Sequence, residues 1–152
     1  MDLLLWRHAE AELGTPDQTR ALTAKGHRQA KKMALWLDRN LPYSCKILVS
    51  PAIRAVQTAE ALGRKFKTLP ELAPGESAAQ LLAAANWPHS REPVLVVGHQ
   101  PALGQAASIL IAGLPQEWAI PNACVWWIVR RNRDNDEGNF IRTVMTPDLV
   151  VK

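Results

Sequence analysis

The chain has 152 residues, near the usual size of one domain, so a single domain over residues 1–152 is expected and an enzyme with a cleft between two domains is not. Hydrophobic residues make up 47% and charged residues 21%, a balance that excludes intrinsic disorder and permits a buried core. Eighteen Lys and Arg against 14 Asp and Glu give a net charge of +4. The basic residues fall in short groups such as Lys31-Lys32 and Arg130-Arg131-Arg133, which implies a solvated surface and no nucleic-acid partner.

Asp2 to Trp6 is a short apolar run of the kind that forms a buried strand. It lacks the basic region and long apolar stretch of a signal peptide, and no later run approaches the roughly 20 apolar residues of a membrane span. A cytoplasmic protein without a membrane partner is therefore expected. Glu10 to Ala21 reads as a loop, with Gly14 and Pro16 in it. Thr23 caps an expected helix to about Asn40, in which Ala30, Met33, Ala34 and Leu37 recur at helical spacing, and Pro42 ends it. Cys45 to Val49 is a second strand.

Ser50-Pro51 then reads as a helix start, serine at the cap and proline at the first helical position, with Ala55, Ala59, Leu62 and Phe66 on one stripe. A loop from Leu69 to Gly75 leads to a short helix whose Ala78, Leu81, Leu82 and Ala85 share a face. Val94 to Val97 is the third buried strand, and Pro101 opens a helix to about Ile111. Cys124 to Val129 and Phe140 to Met145 read as a hairpin or a pair of longer-looped strands joined by the polar stretch Asn132 to Asn139. This order predicts an α/β three-layer sandwich, a mostly parallel sheet with helices on both faces. Cys45 and Cys124 have neither CxxC nor metal-ligand spacing, so both are expected as buried reduced thiols and no metal is expected.

Each buried strand is followed by a polar or cationic group: Arg7-His8 after the first, Ser50 with Arg54 after the second, Gly98-His99 after the third. Ligands of open α/β sheets bind beyond the carboxyl ends of the strands, so two arginines and two histidines should meet on one rim. A guanidinium fork matches phosphate oxygens in pairs and stays charged. A neutral imidazole beside it can attack phosphorus in line, while a second donates to the phosphoryl oxygens. With the arginines supplying the positive charge, neither a metal nor another cofactor is required.

The set Arg7-His8-Ala9, Leu22-Thr23-x-x-Gly26-x-x-Gln29-Ala30, Ser50-Pro51-x-x-Arg54-Ala55-x-Gln57-Thr58 and Gly98-His99 resembles the histidine phosphatase (phosphoglycerate mutase-like) superfamily. The short length and the wording of these segments are similar to its SixA-type phosphohistidine phosphatases. The resemblance covers about residues 1 to 110. It implies a phosphoglycerate mutase-like fold with His8 as the phosphorylated nucleophile, and with Arg7, Arg54 and His99 completing the phosphate pocket. Ala9 stands where the family usually has glycine. The resemblance also puts Arg20 in the loop over the pocket, placed to contact substrate.

Larger members of that superfamily carry a glutamate general acid followed by an insertion. Here the region is Leu69 to Glu76, without the insertion; Glu71 and Glu76 are the candidates for the acid, and neither matches the pattern firmly. Imidazole departs readily once protonated, so a weak or missing acid favours a phosphohistidine substrate over a sugar phosphate. The expected partner is a phosphorylated protein of the histidine-phosphotransfer type or a small phosphorylated molecule. The alternatives are a small-molecule phosphomonoesterase and a module that binds phosphohistidine without turnover.

Overall fold

The computed structural model describes residues 1–133 and 136–151. Six strands form one sheet: β1 (Asp2–Arg7), β2 (Lys46–Val49), β3 (Lys67–Thr68), β4 (Val94–Gly98), β5 (Val125–Arg133) and β6 (Asp136–Met145). Their order is β3-β2-β4-β1-β5-β6. The first four run parallel, and β5 and β6 add on antiparallel beside β1. Four helices flank it: α1 (Ala24–Asn40), α2 (Ile53–Glu60), α3 (Ala78–Ala84) and α4 (Ala102–Ala112).

Alternation along β1 decides which helices go where. Leu4 and Trp6 face one side and pack with Ala30, Met33, Ala34 and Leu37 of α1 and with Ala55 and Ala59 of α2. Leu3 and Leu5 face the other and meet Ala78 and Leu81 of α3 and Leu103, Ala106 and Ala107 of α4. Both faces of the parallel strands are thereby covered, which is why β4 is buried along its whole length. The result is the expected α/β sandwich. Trp6 is fully buried and donates its indole N–H to the Ala123 carbonyl at 2.9 Å, tying the end of β1 to the segment before β5.

Two glycines let backbones touch. A Cβ at Gly26 in α1 would run into the Glu10 carbonyl, and one at Gly104 in α4 into the Trp118 carbonyl. Gly26 sits in the first turn capped by Thr23, whose Oγ1 accepts the Gly26 amide at 2.9 Å. This turn is thereby pressed against the chain that leaves His8.

Three boundaries differ from the sequence reading. α2 begins at Ile53 with Ala52 at its cap, not at Ser50-Pro51, because the Ser50 amide continues the sheet to Val97 and its hydroxyl is used elsewhere. The same helix stops at Glu60, and Phe66 packs on the core from the approach to the short edge strand β3, which the sequence reading did not include. The polar stretch after Val129 is mostly strand, since β5 and β6 stay paired out to Asn132 and Glu137. The tip of that hairpin at 134–135 lies outside the described residues. Cys45 and Cys124 are buried free thiols, as expected. Among the described residues, no helix is long and apolar enough to cross a membrane.

Candidate active site

Helix α1, which follows β1, lies on one face of the sheet, and α4, which follows the adjacent β4, lies on the other. The loops leaving the two strands therefore diverge, and a crevice opens at their carboxyl ends. Register fills it. Arg7 is opposite Gly98, the His8 amide donates to the Gly98 carbonyl at 3.1 Å, and the Ser50 amide donates to the Val97 carbonyl at 3.0 Å. The next side chains, His8 and His99, stand with ring centroids 5.0 Å apart. Arg54 reaches the same place from the first turn of α2.

Arg7, His8, Arg54 and His99 line one pocket of about 260 Å³, together with Arg20, Glu10, Ala11, Pro74, Gln100 and Asn122. Four of the residues singled out in the sequence thus converge, and Arg20 closes the rim as the loop position implied. Glu71 and Glu76 do not line this pocket. They line a neighbouring crevice that shares His99 and Gln100 with it, while Pro74 takes the wall nearest them.

The two imidazoles are held differently. His8 Nδ1 lies 2.8 Å from the Ala9 carbonyl oxygen, which can only accept, so Nδ1 carries the proton and Nε2 keeps a lone pair. His99 Nε2 lies 2.7 Å from Ser50 Oγ, and its Nδ1 is buried without a hydrogen-bond partner among the described residues. Burial, reinforced by the charges of Arg54 and Arg7, pushes His8 down to about 4 against the Ala9 hydrogen bond. Burial followed by the neighbouring His8 takes His99 to about 3. Both rings are neutral near pH 7.

The arginines are fixed by backbone oxygens. Arg7 Nη1 donates to the Ile120 carbonyl at 3.0 Å, and Arg54 Nη1 to the Asp17 carbonyl at 2.8 Å. Arg7 Nε and Arg54 Nε are buried without a hydrogen-bond partner among the described residues. Asp17 also bridges two cations, taking Arg54 on one carboxylate oxygen at 3.1 Å and Arg20 on the other at 3.0 Å. Hydrogen bonds from Arg20 and then Arg54 hold this carboxyl below the usual carboxylate range. Thr58 Oγ1 accepts the Ala9 amide at 3.0 Å and donates to the Arg54 carbonyl at 2.7 Å, joining the strand-end loop to α2. Gln57 Oε1 accepts the Leu22 amide at 2.7 Å.

Two residues at the site carry no signal in the sequence, and a third, Ser50, nominated as the polar group ending the second strand, bonds His99 where a helix cap was also expected of it. Asp17 lies 37 positions before Arg54 in a polar loop, and nothing in that spacing pairs them. Asn122 follows the last helix, lines the pocket and donates to the His8 carbonyl at 3.2 Å.

A rim of cations and neutral imidazoles at the strand ends of a doubly wound sheet defines a class of oxyanion-handling enzyme sites. The profile of the histidine phosphatase superfamily (branch 1) matches residues 3–76, which contain Arg7, His8, Ser50 and Arg54. Phosphohistidine phosphatase SixA of Escherichia coli (strain K12) is 34% identical over 124 residues, 74% of this chain and 76% of its own. The chain belongs to the histidine phosphatase superfamily.

Within that superfamily, solved structures of the SixA type superpose on it, as do phosphatases of other names. A structure of the protein histidine phosphatase SixA complexed with tungstate superposes with a TM-score of 0.76 at 27% identity, covering 97% of this chain and 98% of that one. A structure described as phosphohistidine phosphatase SixA from Nakamurella multipartitia gives 0.77 at 25% identity, covering 96% and 95%.

Proposed function

We propose that this chain is a cytoplasmic phosphohistidine phosphatase that removes the phosphoryl group from histidine on a protein, with His8 Nε2 as the nucleophile. The observation that carries the reading is the fixed tautomer of His8. Its Nδ1 proton is committed to the Ala9 carbonyl, so the other nitrogen keeps its lone pair beside two guanidinium groups. A neutral ring is needed for attack, and the low proton affinity of His8 supplies it over the whole physiological range.

In the first step a bond forms between His8 Nε2 and phosphorus, and the bond from phosphorus to the substrate nitrogen breaks. The departing imidazole takes a proton from solvent. Arg7 and Arg54 carry the charge on the equatorial oxygens, where preorganised donors count most. Both side chains line the pocket, where a guanidinium fork matches phosphoryl oxygens. Ser50 Oγ already accepts the Ala52 amide at 3.2 Å and has its own proton to give His99 Nε2. With the serine donating, the His99 proton sits on Nδ1, and the ring lines the pocket that takes the transferring group. Water then attacks phosphorus, the bond to His8 breaks, and orthophosphate leaves.

Substrate choice follows from the missing acid. Neither Glu71 nor Glu76 lines the pocket, and the Glu10 carboxylate that does is engaged by the Thr23 hydroxyl, so an alkoxide leaving group would find little help, whereas imidazole departs after protonation by water. The names of the SixA relatives agree with that choice. The test is brief exposure to a labelled phosphodonor. Acid-labile, base-stable label on the wild type and none on His8→Ala is expected, and equal label on both would refute the assignment. Comparable turnover of a phosphosugar and a phosphohistidine protein would refute the substrate class.

A further inference from the structure

Beside the phosphate pocket runs a larger open groove of about 790 Å³, and Glu10 and Asn122 line both. Its wall on the α1 side carries Lys25, Arg28 and Lys32, three cations at i, i+3 and i+7 on a single helical face. Among the described residues none of the three makes a hydrogen bond or a side-chain ion pair, although Lys32 acts on Asp148 through space. The two acids in the groove are better occupied. Glu10 Oε2 accepts the Thr23 hydroxyl at 2.8 Å, and Asp148 is held below the usual carboxylate range first by a hydrogen bond from Thr146. Three cations against two carboxylates leave the groove net positive, and residues it shares with the pocket join it to the site of chemistry.

We infer that this groove docks an acidic segment of the phosphoprotein substrate, with Lys25, Arg28 and Lys32 taking carboxylates that flank the phosphohistidine. The inference rests on the proposed phosphohistidine activity and adds to it the surface that recognises the protein around the phosphoryl group. Size and position agree with this use. The pocket alone is about the scale of a phosphoryl group with its leaving ring, whereas the groove falls in the range of volumes that hold larger ligands. Exposed cations near a site speed and orient encounter with an acidic partner more than they tighten the final complex, and added salt weakens them. The groove should therefore alter KM for a protein substrate and leave the chemical step alone.

The experiment compares the wild type with Lys25→Glu/Arg28→Glu/Lys32→Glu on two substrates. One is a histidine-phosphotransfer domain phosphorylated with phosphoramidate, and the other is free phosphohistidine. On the protein, the triple variant should raise KM roughly tenfold with kcat unchanged, and the rise of KM with salt seen in the wild type should flatten. On free phosphohistidine, wild type and variant should agree within about twofold, which also reports that the variant is folded. Normal turnover of both substrates by the wild type with an unchanged KM for the protein in the variant overturns the groove and leaves the activity standing. A wild type inert towards both substrates removes the activity and the groove together.

Discussion

Ser50→Ala tests whether a buried hydroxyl sets the state of the His99 imidazole. Ser50 is fully buried; its Oγ meets His99 Nε2 at 2.7 Å and accepts the Ala52 amide at 3.2 Å. Alanine leaves both groups without it. An orphaned buried polar group costs about 1–3 kcal/mol, and partial relaxation around one methyl-sized change brings the expected total to about 2 kcal/mol. For a chain of this length that is a fall of roughly 4–8 °C in Tm. The effect on rate comes from the tautomer. Without Ser50 the His99 ring is free to carry its proton on either nitrogen and to tilt, which degrades one donor to the phosphoryl group without deleting it. Deleting such a donor costs about two to three orders of magnitude, so Ser50→Ala should lose roughly 10- to 100-fold in kcat/KM. The assay is phosphohistidine hydrolysis well below the melting midpoint for Ser50→Ala, His99→Ala and the double variant. If Ser50 acts through His99, the double variant should match His99→Ala within about twofold. Losses that multiply would place Ser50 on a separate path, and an unchanged rate in Ser50→Ala would remove it from the site.

Arg7→Ala and Arg54→Ala should each lower kcat by about two to three orders of magnitude with Tm little changed at Arg7; steady-state kinetics on phosphohistidine checks both. The His8 imidazole should stay neutral down to about pH 4, and ¹⁵N NMR should find its proton on Nδ1 throughout; protonation near 6.5 would contradict the buried, cation-flanked setting. The lowered values of His8 and His99 also link to stability. Between about pH 6.5 and pH 4 the unfolded chain binds protons that the folded chain refuses, so unfolding free energy should fall as pH drops through that window and be restored above it, read by denaturant titration. Gly26→Ala should be more destabilising than an ordinary helix substitution, because its Cβ meets the Glu10 carbonyl, and thermal melts measure that directly.

The sheet was legible where burial made it so. Strands covered on both faces must be apolar throughout, and β1, β2 and β4 therefore stand out as runs such as Leu3-Leu4-Leu5-Trp6 and Val94-Leu95-Val96-Val97. The α1 boundaries followed from Thr23 at one end and Leu41-Pro42 at the other, since caps and breakers act within a turn of themselves. Strand β3 left no such trace. It is two exposed residues, Lys67 and Thr68, held by backbone pairing to β2, and pairing by backbone leaves nothing in side-chain pattern. The error at Ser50 has a related cause. Serine before proline is an acceptable helix start on local grounds, and only the neighbouring strand shows that the serine amide belongs to the sheet and its hydroxyl to His99.

The residues lining the site divide in the same way. Arg7 ends β1, His8 and His99 follow β1 and β4, and Arg54 lies in the first turn of the helix after β2, so topology brings them to one edge and closeness in sequence to a buried run is enough to nominate them. Asp17 and Asn122 act on Arg54 and His8 through hydrogen bonds across 37 and 114 positions, and such partners are chosen by distance in space. This difference bears on how the pocket works. The groups nominated by topology carry the charge and the lone pair, but their protonation and aim depend on the less visible ones. Two carbonyls and a carboxylate hold Arg54 and Arg7 in place, a carbonyl fixes the His8 tautomer, and a serine holds His99. The charges needed for phosphoryl transfer are therefore pinned before substrate arrives, so little reorganisation remains for the transition state, which is the condition under which electrostatic stabilisation is most effective.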